Sequence, residues 1–191
     1  MCGYYKIYKC YKTRIKKEKS MKYKIVGYGS LLSHKSLEET VPNKHFEQVI
    51  IKGYKRIFDL VEGAKKHKDV LNLVKSPDSF FNGVMFSLSL AELKKIKKRE
   101  DIYNLEETWA YDFQSRKKLC KCLICIDPFI DIDKRGILPD KHYFILCREA
   151  AYHISKKFGE LWDKTTFTAG DQKIRDWLTK NPGYDTITIK N

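Results

Sequence analysis

The sequence predicts an α+β fold: a small mixed, barrel-like β-sheet with flanking helices. Three observations carry this. An apolar stretch, Lys24–Leu32, reads as a strand running into the glycine-punctuated turn Gly27-Tyr28-Gly29-Ser30. Short β-branched and aromatic runs then succeed one another between Phe46 and Leu88, the pattern of a curved sheet or small barrel. Helix signals stand at two later points, a capping box formed by Ser89 and Glu92 and a Pro-Asp start at Pro139. With 191 residues, 42% hydrophobic and 13% aromatic, the chain is long enough for one domain whose core needs no disulfide or metal staple.

The first element ends in a loop suited to a ligand. Gly27 and Gly29 remove the Cβ at two of three positions, so positive φ is open to them and a ligand can approach bare N–H groups. Such a loop suits an anion or a carbonyl oxygen. A dinucleotide fingerprint starting at Gly27 needs a third glycine where Leu32 stands, and a phosphate loop needs Gly-Lys-Ser/Thr after four intervening residues. A nucleophile elbow needs glycine two residues after Ser30, again the position of Leu32. The plainer reading of a lone Gly-x-Gly is an ordinary strand-to-helix turn.

Ser33–Thr40 follows as a short helix, with Ser33 or Ser36 as cap and Pro42 ending it. Phe46–Ile51 and Tyr54–Val61 read as strands separated by Lys52-Gly53, a hairpin or bulged pair, and Glu62–Lys68 as a polar loop. Val70–Val74 and Gly83–Leu88 are further strands on either side of a turn at Ser76-Pro77-Asp78-Ser79. Leu90, Leu93 and Ile96 form the apolar stripe of a helix over Leu90–Arg99. Tyr103–Phe113 and Leu119–Ile126 are strands around the polar turn Gln114–Lys118. Asp140 caps a helix running to about Phe158 with Tyr143 in its first turn, and Asp171 caps a last one through Trp177, stopped by Asn181-Pro182-Gly183.

Glu100 lies seven residues after Leu93 and four after Ile96, on the buried stripe of its helix. Burial disfavours a charged carboxylate and raises its proton affinity, which matches a carboxyl group to general acid/base work near neutrality. The competing reading has Glu100 at the helix end in solvent, balancing Arg99 or Lys97.

Charge and cysteine content bound the partners. Residues Met1–Ser20 carry seven lysines and arginines against Glu18, so this leader holds +6 of the formal +14 and leaves a moderately basic body. Its lysines alternate with Tyr4, Tyr5, Tyr8 and Tyr11, a pattern able to stack on single-stranded nucleic acid. Few aliphatic side chains anchor it, and we read it as a poorly ordered extension with no nucleic-acid partner, ahead of a single domain over 21–191. No apolar run reaches membrane-spanning length and no secretory h-region is present, so a soluble cytoplasmic protein without a membrane partner is expected. Cys120, Cys122 and Cys125 form C-x-C-x-x-C on a strand-like stretch without the turn zinc ligands use. Reduced structural thiols are expected there, with no metal and no cofactor. The five histidines show no paired metal spacing.

Taken together, separated motifs fit one pattern. Gly27-Tyr28-Gly29-Ser30-Leu31 follows the first strand, Gly53-Tyr54-Lys55-Arg56-Ile57-Phe58 the next, and Asn82-Gly83-Val84 begins another. Leu88–Ile96 leads to Arg99-Glu100 and Tyr103, and Pro139-Asp140-Lys141-His142-Tyr143 opens a late helix. In this order, over about Lys22–Thr166, the chain resembles the gamma-glutamylcyclotransferase-like family, relatives of the ChaC-type glutathione-degrading enzymes. The resemblance implies a mixed α+β fold with a small barrel-like sheet and a pocket between the Tyr28–Leu31 loop and Glu100. It implies cleavage of a γ-glutamyl amide by internal cyclisation, releasing 5-oxoproline and an amine, amino acid or peptide, without metal or organic cofactor. It assigns Tyr28, Gly29, Ser30 and Leu31 to the γ-glutamyl group, Glu100 to acid/base catalysis, and Tyr143 to the pocket. A small-molecule γ-glutamyl substrate is the partner expected.

The alternative is a non-catalytic binding module on the same fold, its basic leader contacting nucleic acid or an acidic partner.

Overall fold

The computed structural model describes residues 22–61, 69–127 and 138–187. The leader and the polar loop at 62–68 lie outside the described residues.

Six strands and five helices are described: β1 (Tyr23–Gly27), α1 (His34–Glu38), β2 (Glu47–Val61), β3 (Asp69–Leu88), α2 (Leu90–Arg99), β4 (Asn104–Asp112), β5 (Lys118–Ile126), α3 (Lys141–Ile154), α4 (Lys156–Thr165), β6 (Thr166–Thr168) and α5 (Ile174–Leu178). One-turn 3-10 helices stand at Ser30–Leu32 and Pro182–Tyr184. The sheet order is β3-β1-β5-β4-β2-β6, and β2 also pairs with β3. Hydrogen bonding therefore closes a ring of five strands, with β6 attached outside it. The ring is not a clean barrel. β2 and β4 share the pairs Val49/Asp112, Ile50/Tyr111 and Ala110/Ile51, whereas β2 and β3 pair along nearly the whole of β2. β1 sits between β3, antiparallel, and β5, parallel, so its end is enclosed by strands on both sides. That enclosure delivers the glycine turn to one mouth of the ring. The expected mixed α+β, barrel-like sheet with flanking helices is the fold observed.

Several elements differ from the sequence expectation. The two runs expected on either side of Lys52-Gly53 form one strand, β2, in which Gly53 takes φ +85, a left-handed value that glycine alone adopts without cost. The two strands expected around Ser76–Ser79 are likewise one strand, β3. Lys52 pairs with Phe80 and Tyr54 with Lys75, so Gly53 alone faces the four residues Ser76–Ser79, which swing out of the ladder. Pro77 brings no N–H, and an excursion from the ladder is where its absence costs nothing.

The long helix expected from Asp140 to Phe158 is two helices. Ser155 adopts φ −172 and ψ 156, ends α3, and caps α4 by accepting from the Phe158 N–H at 3.1 Å. The cap expected at Asp171 is displaced too. α5 starts at Ile174 with Lys173 in the cap position, while Asp171 takes φ 63 and its carboxylate pairs with Lys55. Other caps stand as read: Ser33 accepts from Ser36 N–H, Asp140 from Tyr143 N–H, and Ser89 with Glu92 closes the capping box of α2.

α3 and α4 are held to the sheet by aromatic packing and buried charge. Phe58 of β2 meets Phe144 of α3 and Trp162 of α4 at ring distances of 5.7 and 6.4 Å, and burying each such side chain contributes about 1.5–3 kcal/mol. Arg56, fully buried on β2, donates to Asn82 O, Asn82 Oδ1, Thr166 Oγ1, Thr165 Oγ1 and the Trp162 carbonyl. Its guanidinium lies over the Trp162 ring at 4.9 Å. A buried cation satisfied by neutral acceptors bolts the end of α4 across β2 and β3. Between the helices, Arg148 grips Asp163 through Nε at 2.9 Å and Nη2 at 2.9 Å and reaches Asp185 at 2.8 Å. Among the described residues no helix is long and apolar enough to cross a membrane.

Candidate active site

The turn after β1 is pinned before any ligand arrives. Tyr28 is buried, and its hydroxyl crosses to donate to the Cys125 carbonyl of β5 at 2.8 Å. Its own carbonyl accepts from Trp162 Nε1 at 3.4 Å. The chain then tightens into the 3-10 turn, closed by Leu32 N–H to Gly29 O at 2.9 Å and Ser33 N–H to Ser30 O at 3.1 Å. The N–H groups of Ser30 and Leu31 open this turn, so they have no acceptor within it, and no other described residue takes them. Gly29 is glycine for a packing reason. A Cβ there would lie 2.6 Å from the Tyr143 hydroxyl oxygen. Positive φ is not what the two turn glycines supply, since Gly29 has φ −117 and Gly53 is the glycine with positive φ among the described residues.

Glu100 reaches the same place from α2. It is the residue that ends the helix, with φ −100 and ψ 44; its N–H still donates to Ile96 O at 2.8 Å. Tyr103 N–H donates to the Glu100 carbonyl at 3.0 Å, folding the chain back so that the Tyr103 hydroxyl donates to Leu71 O at 2.6 Å. The Glu100 side chain is 15% exposed and borders one cavity with Tyr28, Gly29, Ser30, Leu31, Leu71, Tyr103, Cys125 and Tyr143. All six residues singled out in the sequence, Tyr28, Gly29, Ser30, Leu31, Glu100 and Tyr143, thus surround a single space. The cavity is small, about 10 Å³, close to the size of one water.

The acids around it favour their neutral forms. Burial pushes the Tyr28 and Tyr143 hydroxyls well above their ordinary values, and neighbouring groups, Glu100 among them, add to the rise. Burial and then Glu100 raise the Cys125 thiol, and burial lifts Cys147 to about 12. These side chains are therefore uncharged near neutrality, and they sense the Glu100 carboxylate across the cavity. No histidine borders the cavity among the described residues, and Ser30 Oγ accepts from Arg99 Nη2 at 3.1 Å. Ser30 thus has the setting of a hydrogen-bonding side chain, without a histidine base beside it.

Reasoning from sequence missed Leu71 and Cys125 as lining residues, because nothing local marks a residue whose neighbour is supplied by another strand. It also missed the work of Arg99, which stands in the motif beside Glu100 and as a candidate counter-charge but has no role in the site on sequence grounds. Arg99 spans Ser30, Ser36, Thr40 and Glu100. Its place before Glu100 was the one available signal. Among the described residues no three His, Cys, Asp or Glu side chains converge as metal ligands.

The arrangement defines a class: an α+β protein with a five-stranded hydrogen-bonded ring, whose first-strand turn faces a helix-terminal carboxylate across a small cavity. No protein-family model matches the sequence, and no curated protein matches it. Solved structures do match. A γ-glutamyl cyclotransferase aligns with a TM-score of 0.63 at 16% identity, over 84% of this chain and 99% of that one. An uncharacterized protein from Homo sapiens gives 0.62 at 16%, over 74% and 86%. A γ-glutamyl cyclotransferase specific to glutathione, from yeast, gives 0.58 at 15%, over 86% and 97%. At these identities the likeness is one of fold: the chain has the γ-glutamyl cyclotransferase-like fold.

Proposed function

We propose that the protein is a cofactor-independent γ-glutamylcyclotransferase acting on a small γ-glutamyl amide. The observation that carries this reading is the largely buried Glu100 carboxylate bordering one cavity with the open N–H groups of the Ser30–Leu31 turn.

A γ-glutamyl compound contains its own nucleophile, the α-amine, and its own electrophile, the γ-carbonyl. The protein's first task is to fold that flexible chain until nitrogen and carbonyl carbon lie about 3 Å apart, where intramolecular reactions gain large effective molarities. Tyr28 to Leu31 and Tyr143 supply the walls for that folded chain. Glu100 then takes a proton from the substrate ammonium, the amine attacks the γ-carbon, and the oxyanion forms against the turn N–H groups. Loss of one such donor costs on the order of 3 kcal/mol. As the carbon–nitrogen bond to the leaving group breaks, Glu100 returns the proton to the departing nitrogen, the ring nitrogen gives up its second proton to the released amine, and 5-oxoproline and an ammonium product are left. One carboxyl group serves both transfers, and Ser30 acts as a hydrogen-bonding side chain. The basic body of the chain favours encounter with anionic γ-glutamyl compounds.

At about 10 Å³ the cavity has to widen to take a glutamyl chain. The test is a panel of γ-glutamyl amino acids, peptides and amines assayed for 5-oxoproline, with Glu100→Gln beside the parent. Loss of general acid/base catalysis lowers turnover by about 10²- to 10⁴-fold. Equal turnover by Glu100→Gln ends the proposed mechanism.

A further inference from the structure

We propose that Arg99 is a positioning residue that holds Glu100 against the glycine turn in its ionised form and has no contact with substrate. This rests on the acid/base role given to Glu100.

A guanidinium has five N–H donors. Arg99 uses all five inside the protein: Nε to Glu100 Oε1 at 3.1 Å, Nη1 to Ser36 O at 2.5 Å and Thr40 Oγ1 at 3.1 Å, and Nη2 to Ser30 Oγ at 3.1 Å and Ser36 Oγ at 2.8 Å. No donor is left for a ligand carboxylate. Four of the five acceptors are neutral, and the fifth is Glu100. Arg99 therefore ties three elements together: the end of α2, the 3-10 turn through Ser30, and α1 with its following turn through Ser36 and Thr40.

The charge argument follows from the surroundings. Glu100 stands at the C-terminal end of α2, where the helix dipole opposes a negative charge, and it is mostly buried, which opposes it further. Among the described residues, the titratable groups that share the cavity with it are Tyr28 from the turn, Tyr103 from the segment after α2, Cys125 from β5 and Tyr143 from α3, with Cys147 of α3 also within its field; each is able only to add negative charge. Arg99 Nε lies 3.1 Å from the carboxylate and brings a cation into contact with it. An opposite charge at this range favours ionisation, and an acid that begins the reaction by taking a proton has to start as the base.

The experiment measures the Glu100 carboxyl titration by ¹³C NMR and the acid limb of the kcat/KM pH profile in the parent, Arg99→Lys and Arg99→Gln. Removing the neighbouring cation raises the titration midpoint by about one pH unit or more in Arg99→Gln. The acid limb moves with it, and Arg99→Lys falls nearer the parent. The loss appears mainly in kcat, with KM changed less than about threefold, because Arg99 offers no donor to substrate. An unmoved midpoint in folded Arg99→Gln overturns the proposal, as does a loss confined to KM. If Arg99→Gln does not fold, the decision passes to Arg99→Met, which keeps the apolar stem and removes the charge, and a midpoint unmoved there overturns it. A parent protein that releases no 5-oxoproline removes the functional reading instead, and the carboxyl titration still decides the role of Arg99.

Discussion

The close approach of Tyr143 to Gly29 allows a test of the cavity wall that does not depend on knowing the substrate. In Gly29→Ala the new methyl lies 2.6 Å from the Tyr143 hydroxyl oxygen, well inside contact distance, while the next atoms, Leu71 Cδ1 and Tyr143 Cζ, are at ordinary distances of 3.6 and 3.7 Å. The clash is thus with one oxygen. Overpacking of this kind costs about 1–3 kcal/mol. Tyr143→Phe removes that oxygen, and loss of a buried hydroxyl of this kind costs about 1 kcal/mol. With both changes present the methyl occupies the space the oxygen vacated, so the double variant should be more stable than the two single losses predict, by about 1–2 kcal/mol. Urea unfolding of the four proteins, followed by tryptophan fluorescence, gives the coupling energy directly. A coupling within about 0.5 kcal/mol of zero refutes the contact and with it this picture of the wall.

Asp163→Ala should destabilise the protein by about 1.5–3 kcal/mol in chemical denaturation, because the buried Arg148 guanidinium loses the carboxylate that its Nε and Nη2 both reach and keeps its bond to Asp185. Acid should weaken the joint between α2 and the segment that leads into β2. Lys44, at 2.5 Å, together with the Ser89 cap holds Glu92 down at about 2, below its ordinary carboxyl value of 4.5. A depressed value means stability that is fully present above 4.5 and is lost as pH falls toward 2. Stability measured against pH should therefore fall across that window in the parent, and the fall should be shallower in Glu92→Gln. An identical slope in the two would show that Glu92 is not the group responsible.

Comparison of individual elements shows where local reasoning worked. Ser33, Ser89 with Glu92, and Asp140 cap the helices they were read to cap, because a cap is a contact among residues three or four apart. Ser155 obeys the same rule, accepting from Phe158 N–H, yet it was passed over because the apolar stripe continues on both sides of it. The excursion at Ser76–Ser79 was read correctly as a departure from the strand and wrongly as its end. What keeps β3 continuous is the pairing of Phe80 with Lys52 and of Lys75 with Tyr54, contacts that lie on another strand. Asp171 carried the composition of a cap and was drawn instead to Lys55, 116 positions earlier.

By itself the sequence determined the α+β class, the starts of α1, α2 and α3 and the residues available for chemistry, since these depend on periodicity and on neighbours within a turn. It also placed Glu100 on a buried stripe, which is a statement about spacing alone. Only the tertiary structure decided what that carboxylate faces. Closing the ring brings β1 between β3 and β5, and so sets the glycine turn beside the end of α2 and under Tyr143. The same closure gives Arg99 acceptors at Ser30, Ser36 and Thr40, between 59 and 69 positions away along the chain. No local pattern encodes such a convergence, because it is held by strand pairing and packing summed over the whole sheet.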